Sequence, residues 1–176
     1  GVSVATAGQT MTAYALSTAL LAPLLLLATG HWPRKRALLL ALLLLGTGNV
    51  LCALAESFSA LLIGRVLMGL GAVFTPISAG IAVATALPAR RGKALGVVFL
   101  GISLSYVVGV PLGAWLGLQY GWQIPIWLVA LLCALAFAAV ARWVPGAIDA
   151  PGASFAGLGA LLARRDVLGV LAVTLL

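Results

Sequence analysis

The sequence predicts an all-α membrane protein, a bundle of long apolar helices crossing a bilayer. Three observations carry that prediction. Hydrophobic residues make up 64% of the 176 positions and charged residues only 7%, against about 25% charged in a soluble domain. A chain with so few charges cannot cover its surface for water, so lipid is its main solvent. The apolar residues fall in continuous runs of about 20, the length that crosses a hydrocarbon core of about 30 Å. These runs lack two-residue alternation, which sets strands aside.

Five complete spans are expected. The first runs over residues 10–29 and ends at Gly30, before the basic cluster "HWPRKR". The second covers 37–55, the third 59–87 with Pro76 inside it, the fourth 94–118 and the fifth 125–144. Glycine and proline within such runs would count against water-soluble helices, but neighbouring groups re-satisfy the backbone in membrane helices. Residues 1–144 therefore read as a transmembrane bundle, and 145–166 as a polar, Gly/Pro-rich loop. Residues 167–176, "VLGVLAVTLL", begin a sixth apolar run. Its length rises about 15 Å, half the hydrocarbon thickness, so it reads as a truncated span.

Charge orients the bundle. Arg34, Lys35, Arg36, Arg90, Arg91, Lys93, Arg142, Arg164 and Arg165 lie in joints or at span ends on one side. The opposite side offers Glu56 and, in "LQYGWQ", no charge. The positive-inside rule puts residues 30–36, 88–93 and 145–166 in the cytoplasm of a bacterial-type inner membrane. Tyr120 and Trp122 fit the outer aromatic belt, Trp32 and Trp143 the inner one. Gly1 then lies outside, and no basic-then-apolar signal peptide precedes it. A further span ahead of it, running from inside to outside, is expected to have carried that end across.

Several function classes drop out. The net charge of +7 does not point to nucleic acid, because the cations are not interleaved with aromatics on a polar face. Cys52 and Cys133 stand inside apolar runs as small hydrophobes, and His31 stands in a basic joint. No nucleophile–base pair and no metal-ligand cluster is visible, so neither an enzyme, a cofactor nor a metal is expected.

The candidates for function are polar or small residues inside spans. Arg65 interrupts "LLIGRVLMGLGAVFTPISAG", and an arginine at a helix centre costs about 2.5–3.5 kcal/mol on insertion scales. Two readings stay open: it lines a polar cavity or proton path, or it snorkels to the outer interface about 9 Å away. Gly109, Gly113 and Gly117 share one face of the fourth span, with Pro111 among them. Such a face admits close packing, and the proline predicts a bend. Gly64, Gly69, Gly71, Ala72, Pro76 and Gly80 keep the third span similarly small. Gln9, Tyr14 and Asn49 could line a cavity, although polar groups in spans also bond to their own helix. No Asp or Glu lies deep in a complete span.

"RVLMGLGA" resembles the signature of the fourth helix of the major facilitator superfamily, an arginine followed four residues later by Gly-x-Gly-Ala. By that resemblance Arg65 takes the place of a coupling arginine, with Gly69 and Gly71 behind it and Met68 where a glutamine is common. "VVGVPLGAWLG" resembles the fifth-helix signature of drug:proton antiporters, matched by Gly109, Pro111, Gly113 and Gly117. "GHWPRKR" keeps Arg34, Lys35 and Arg36 of the loop between helices two and three, with Gly30 at the usual Asp place and Pro33 at the usual Gly place. That departure is similar to the sugar, arabinose or nucleoside exporter branch.

The resemblance implies helices two to six of a twelve-helix transporter, a central loop and the start of helix seven. It implies a secondary transporter that exports a small organic molecule against proton entry by alternating access. Its partners would be that substrate, protons, the lipid bilayer and the missing C-terminal six-helix half of the same chain. A channel or passive facilitator would show a charged ring or a carbonyl filter, and neither is visible. A non-transporting scaffold subunit would not need Arg65.

Overall fold

The computed structural model describes residues 4–146 and residue 148, with side chains from residue 8 onward. Every regular element among the described residues is helical. Five helical segments are long and apolar enough to cross a membrane: Gly8–Ala28, Arg34–Ala53, Phe58–Thr85, Pro88–Tyr120 and Gln123–Trp143, spans 1 to 5. The expected loop over 145–166 and the apolar run over 167–176 lie outside the described residues, apart from Pro145, Gly146 and the buried Ile148.

The spans match the expected ones, with ends shifted by a few residues. The shift is largest where basic clusters were expected to be joints. Arg34, Lys35 and Arg36 form the first turn of span 2, after Pro33 at its N-cap. Arg91 and Lys93 open the helix Arg91–Leu104 within span 4. Charge does not end a helix, and Pro33 and Pro88 set the starts instead. Cations in a first turn oppose the helix dipole by about 0.3–1 kcal/mol each, so their placement follows from the membrane boundary and not from helix electrostatics. At the other end of the bundle the joints are short. Ser57 caps span 3 by accepting from the Ala60 amide at 3.2 Å. Gly121 turns between spans 4 and 5 at φ 95°, where only glycine is unstrained.

Span 2 is the centre of the packing, with span 3 on one side and span 5 on the other. Span 1 packs on the first half of span 3, and span 4 on the second half of span 3 and the start of span 5. The contact of spans 2 and 3 is set by small residues. Ala41, Leu45, Gly48 and Cys52 meet Gly64, Met68 and Gly71 at alternating three- and four-residue spacing, the spacing of a seam between antiparallel helices. A Cβ on Gly48 would sit 2.7 Å from the Gly64 carbonyl oxygen, and one on Gly71 would sit 2.8 Å from that of Ala41. In lipid, where apolar burial drives little association, such backbone-to-backbone contact is what holds helices together. A cluster of Ala22, Ala37, Leu38, Ala41, Leu42, Val73 and Ile77 fills the half of the bundle nearer the basic end.

Candidate functional site

Arg65 lies two turns into span 3, one turn ahead of Gly69 on the same helix face. Gly69 is where span 3 meets span 1: a Cβ there would lie 2.5 Å from that of Ser17 and 3.0 Å from the Tyr14 carbonyl oxygen. Arg65 therefore stands beside the polar stretch of span 1. It is half-buried, and its Nε is enclosed without a hydrogen-bond partner among the described residues. Thr18 Oγ1, on the span 1 side, is enclosed and unpartnered in the same way. Unsatisfied buried donors cost about 1–3 kcal/mol each, so each of the two calls for an explanation. The only described acid, Glu56, lies exposed in the joint between spans 2 and 3.

The other expected residues are distributed unevenly. Tyr14 is half-buried and Gln9 exposed on span 1. Asn49 is 2% exposed, and its Nδ2 donates to the Leu45 carbonyl of its own helix at 2.8 Å. Thr12, Thr47, Ser78, Thr85 and Ser105 likewise turn their hydroxyls back onto their own helices. Lys35 reaches across to span 5, donating from Nζ to the Ala141 carbonyl at 2.8 Å. Arg34 is 8% exposed, and Arg36 is exposed. Among the described residues, no group of three His, Cys, Asp or Glu could hold a metal ion.

Gly69 and Gly71 sit in close contacts, but the glycine face of span 4 does not. A Cβ on Gly113 or Gly117 would meet only Pro125, at 3.9 Å, and one on Gly109 only Ser105 of its own helix, also at 3.9 Å. No described residue of span 4 is buried. Arg65 and the Gly109–Gly117 face thus belong to different contacts.

The bend expected at Pro111 takes a definite form. Residues Ser105–Gly109 make a π-helical turn, closed by the Val110 amide donating to the Ser105 carbonyl. Pro111 has no amide for the Val107 carbonyl, and its ring would collide with it in a regular helix. Widening the preceding turn moves that carbonyl aside. Span 1 repeats the device. Ser17–Leu21 is a π-helical turn, the Ala22 amide donates to the Ser17 carbonyl, and Pro23 follows. The sequence reading missed Pro23. The signal was present, since "STALLAP" and "SYVVGVP" both put serine six residues before proline. Pro76 breaks span 3 differently. The Ala72 carbonyl it leaves free accepts from Thr75 at 3.4 Å, a tightened turn between the helices Phe58–Gly71 and Phe74–Thr85.

Comparison with known proteins supplies the family. The model of the Major Facilitator Superfamily matches residues 1–176. The chain belongs to that superfamily. It is 38% identical over 128 residues to a chloramphenicol efflux pump of Mycobacterium tuberculosis, covering 70% of this chain and 30% of the relative. It is 34% identical over 146 residues to a chloramphenicol resistance protein of Streptomyces lividans, covering 82% and 37%. A crystal structure of the peptide transporter POT in complex with alafosfalin superposes with a TM-score of 0.69 at 18% identity, covering 94% of this chain and 36% of that one. The last likeness speaks for the fold alone. The chain spans about a third of the length of these relatives. As a superfamily member it is a multi-pass membrane protein of a transporter family and not an enzyme.

Proposed function

We propose that this chain forms part of a secondary transporter of a bacterial-type inner membrane, exporting a small neutral or amphiphilic organic molecule in exchange for protons. The observation that carries the proposal is Arg65, half-buried within a span, its Nε enclosed and without a hydrogen-bond partner among the described residues. Arginine presents a cationic, planar fork of hydrogen-bond donors. It can therefore shift the protonation of a carboxylate brought near it, and give up that contact when substrate arrives. The described spans contain no such carboxylate, so the titrating group belongs to another part of the protein. The efflux-pump and chloramphenicol-resistance relatives favour export, as do the antiporter-like positions Gly109, Pro111, Gly113 and Gly117. Chloramphenicol is itself an uncharged amphiphile, which suits spans with so few charges.

In this reading spans 1 to 5 correspond to helices two to six of the N-terminal half, with residues 145–166 the central cytoplasmic loop and 167–176 the start of helix seven. Residues 30–36 and 88–93 are cytoplasmic, and residue 1 is outside. The missing half of the bundle completes a midplane site about which the halves rock. Broken spans 1, 3 and 4 suit that motion, since interrupted membrane helices mark binding regions in transporters.

The test is transport of chloramphenicol by the full-length protein in inside-out vesicles. Uptake is expected to rise when an inward-acid proton gradient is imposed and to collapse with a protonophore. Uptake indifferent to the gradient would remove proton coupling. Cysteines placed singly at positions 56 and 89 give the sidedness, with only the first expected to react with an impermeant thiol reagent added to whole cells.

A further inference from the structure

Spans 2 and 5 run unbroken beside each other and leave an apolar cleft of about 520 Å³ between them, within the range of small-molecule sites. Leu43, Gly46, Thr47 and Val50 form one wall, Cys133 and Phe137 the other. The spans come close at Gly46, where a Cβ would lie 3.4 Å from that of Cys133. On span 2 the stripe through Leu43 continues at helical spacing to Leu39 and Lys35, and on span 5 the stripe through Phe137 continues to Ala141. Lys35 Nζ donates to the Ala141 carbonyl at 2.8 Å, so the ammonium group joins the two spans about two turns beyond the cleft, toward the basic end. Two of its three donors remain. Arg36 and Arg142 stand exposed at this end, one on each span, flanked by the exposed Trp32 and Trp143.

The cleft is therefore apolar, and the span ends beyond it are strongly cationic. The described residues supply no anion there, since Glu56 lies in a joint at the opposite end of span 2. Two indoles at that level are what a membrane–water interface selects. We infer that the cleft between spans 2 and 5 holds one anionic phospholipid, its acyl chain against Gly46 and Thr47 and its phosphate on Lys35, Arg36 and Arg142. Cationic pockets between membrane helices bind anionic headgroups by this combination of charge and apolar depth. The site shares no residue with Arg65, which lies on span 3.

The experiment is native mass spectrometry of the full-length protein, equilibrated in micelles with phosphatidylglycerol or phosphatidylcholine. One phosphatidylglycerol is expected to stay bound after phosphatidylcholine has left. Neutralising Lys35, Arg36 and Arg142 to Gln should weaken its retention about fivefold per charge. Thr47→Trp, which fills the cleft from its exposed rim and leaves every charge in place, should release it as well. The matched control neutralises Arg90, Arg91 and Lys93 to Gln and should retain the lipid. Arg36→Gln alone removes an exposed side chain without touching the Lys35 contact, and gives the charge dependence should the triple variant fold poorly. Equal loss in the control would reduce the effect to general attraction between a basic surface and anionic lipid. Undiminished binding in Thr47→Trp would overturn the cleft as the seat of the acyl chain, including the case where another part of the protein already fills it.

Discussion

Spans 2 and 5 differ from spans 1, 3 and 4 in one respect that organises the molecule. The first two are single unbroken helices, Arg34–Ala53 and Gln123–Trp143. Each of the other three is interrupted at or just before an internal proline: Pro23, Pro76 and Pro111. The continuous pair is tied at its basic end by Lys35, and span 2 seats span 3 through Gly48, Gly64 and Gly71. The interrupted spans carry Arg65, the unpartnered Thr18 and the open glycine face. In the proposed function, rigidity and coupling fall to different helices, and the prolines mark the division. A broken turn leaves backbone groups free to exchange partners, whereas an unbroken helix of twenty residues can move only as a rod.

That division can be broken from the rigid side. Leu44→Pro puts the same interruption into the middle of span 2, at a cost of about 3 kcal/mol or more. Because span 2 packs on both spans 3 and 5, the expected result is loss of the monodisperse peak in size-exclusion chromatography. Next in size is Gly48→Leu, which overpacks the seam by about 1–3 kcal/mol because backbone blocks the relaxation. It should lower the melting temperature clearly, while Gly101→Ala, with nothing within 4 Å of the added Cβ, stays near wild type. The smallest change in stability comes from healing the interrupted side. Pro23→Ala or Pro111→Ala returns one backbone hydrogen bond, about 1 kcal/mol, so stability holds or rises. The vesicle transport rate should nevertheless fall severalfold. A transport rate unchanged in both would mean that the widened turns are only scars of proline geometry.

Much of this was legible in the sequence because membrane insertion imposes strong rules. Run length placed five spans to within a few residues, and Pro111 announced a bend. The basic joints were misread as loops because charge marks where a helix leaves the membrane, not where it ends. Glycine roles were harder. Gly48 looked unremarkable in "LLGTGNV", yet it makes one of the tightest contacts, while the regularly spaced Gly109, Gly113 and Gly117 meet almost nothing. Spacing shows that a face is small but not what lies opposite it. Asn49 illustrates the same limit: a polar residue in a span can face a cavity or its own carbonyls, and only the fold decides between them.

The central claim is that the charge of Arg65 couples the gradient to the substrate. It is tested most directly by comparing wild type, Arg65→Lys and Arg65→Ala in the full-length protein, in vesicles with and without an imposed proton gradient. The expected result is gradient-driven transport lost in Arg65→Ala and partly kept in Arg65→Lys, with all three proteins melting alike. Full gradient-driven transport by Arg65→Ala would contradict the account and leave Arg65 as an arginine that merely snorkels to the membrane surface.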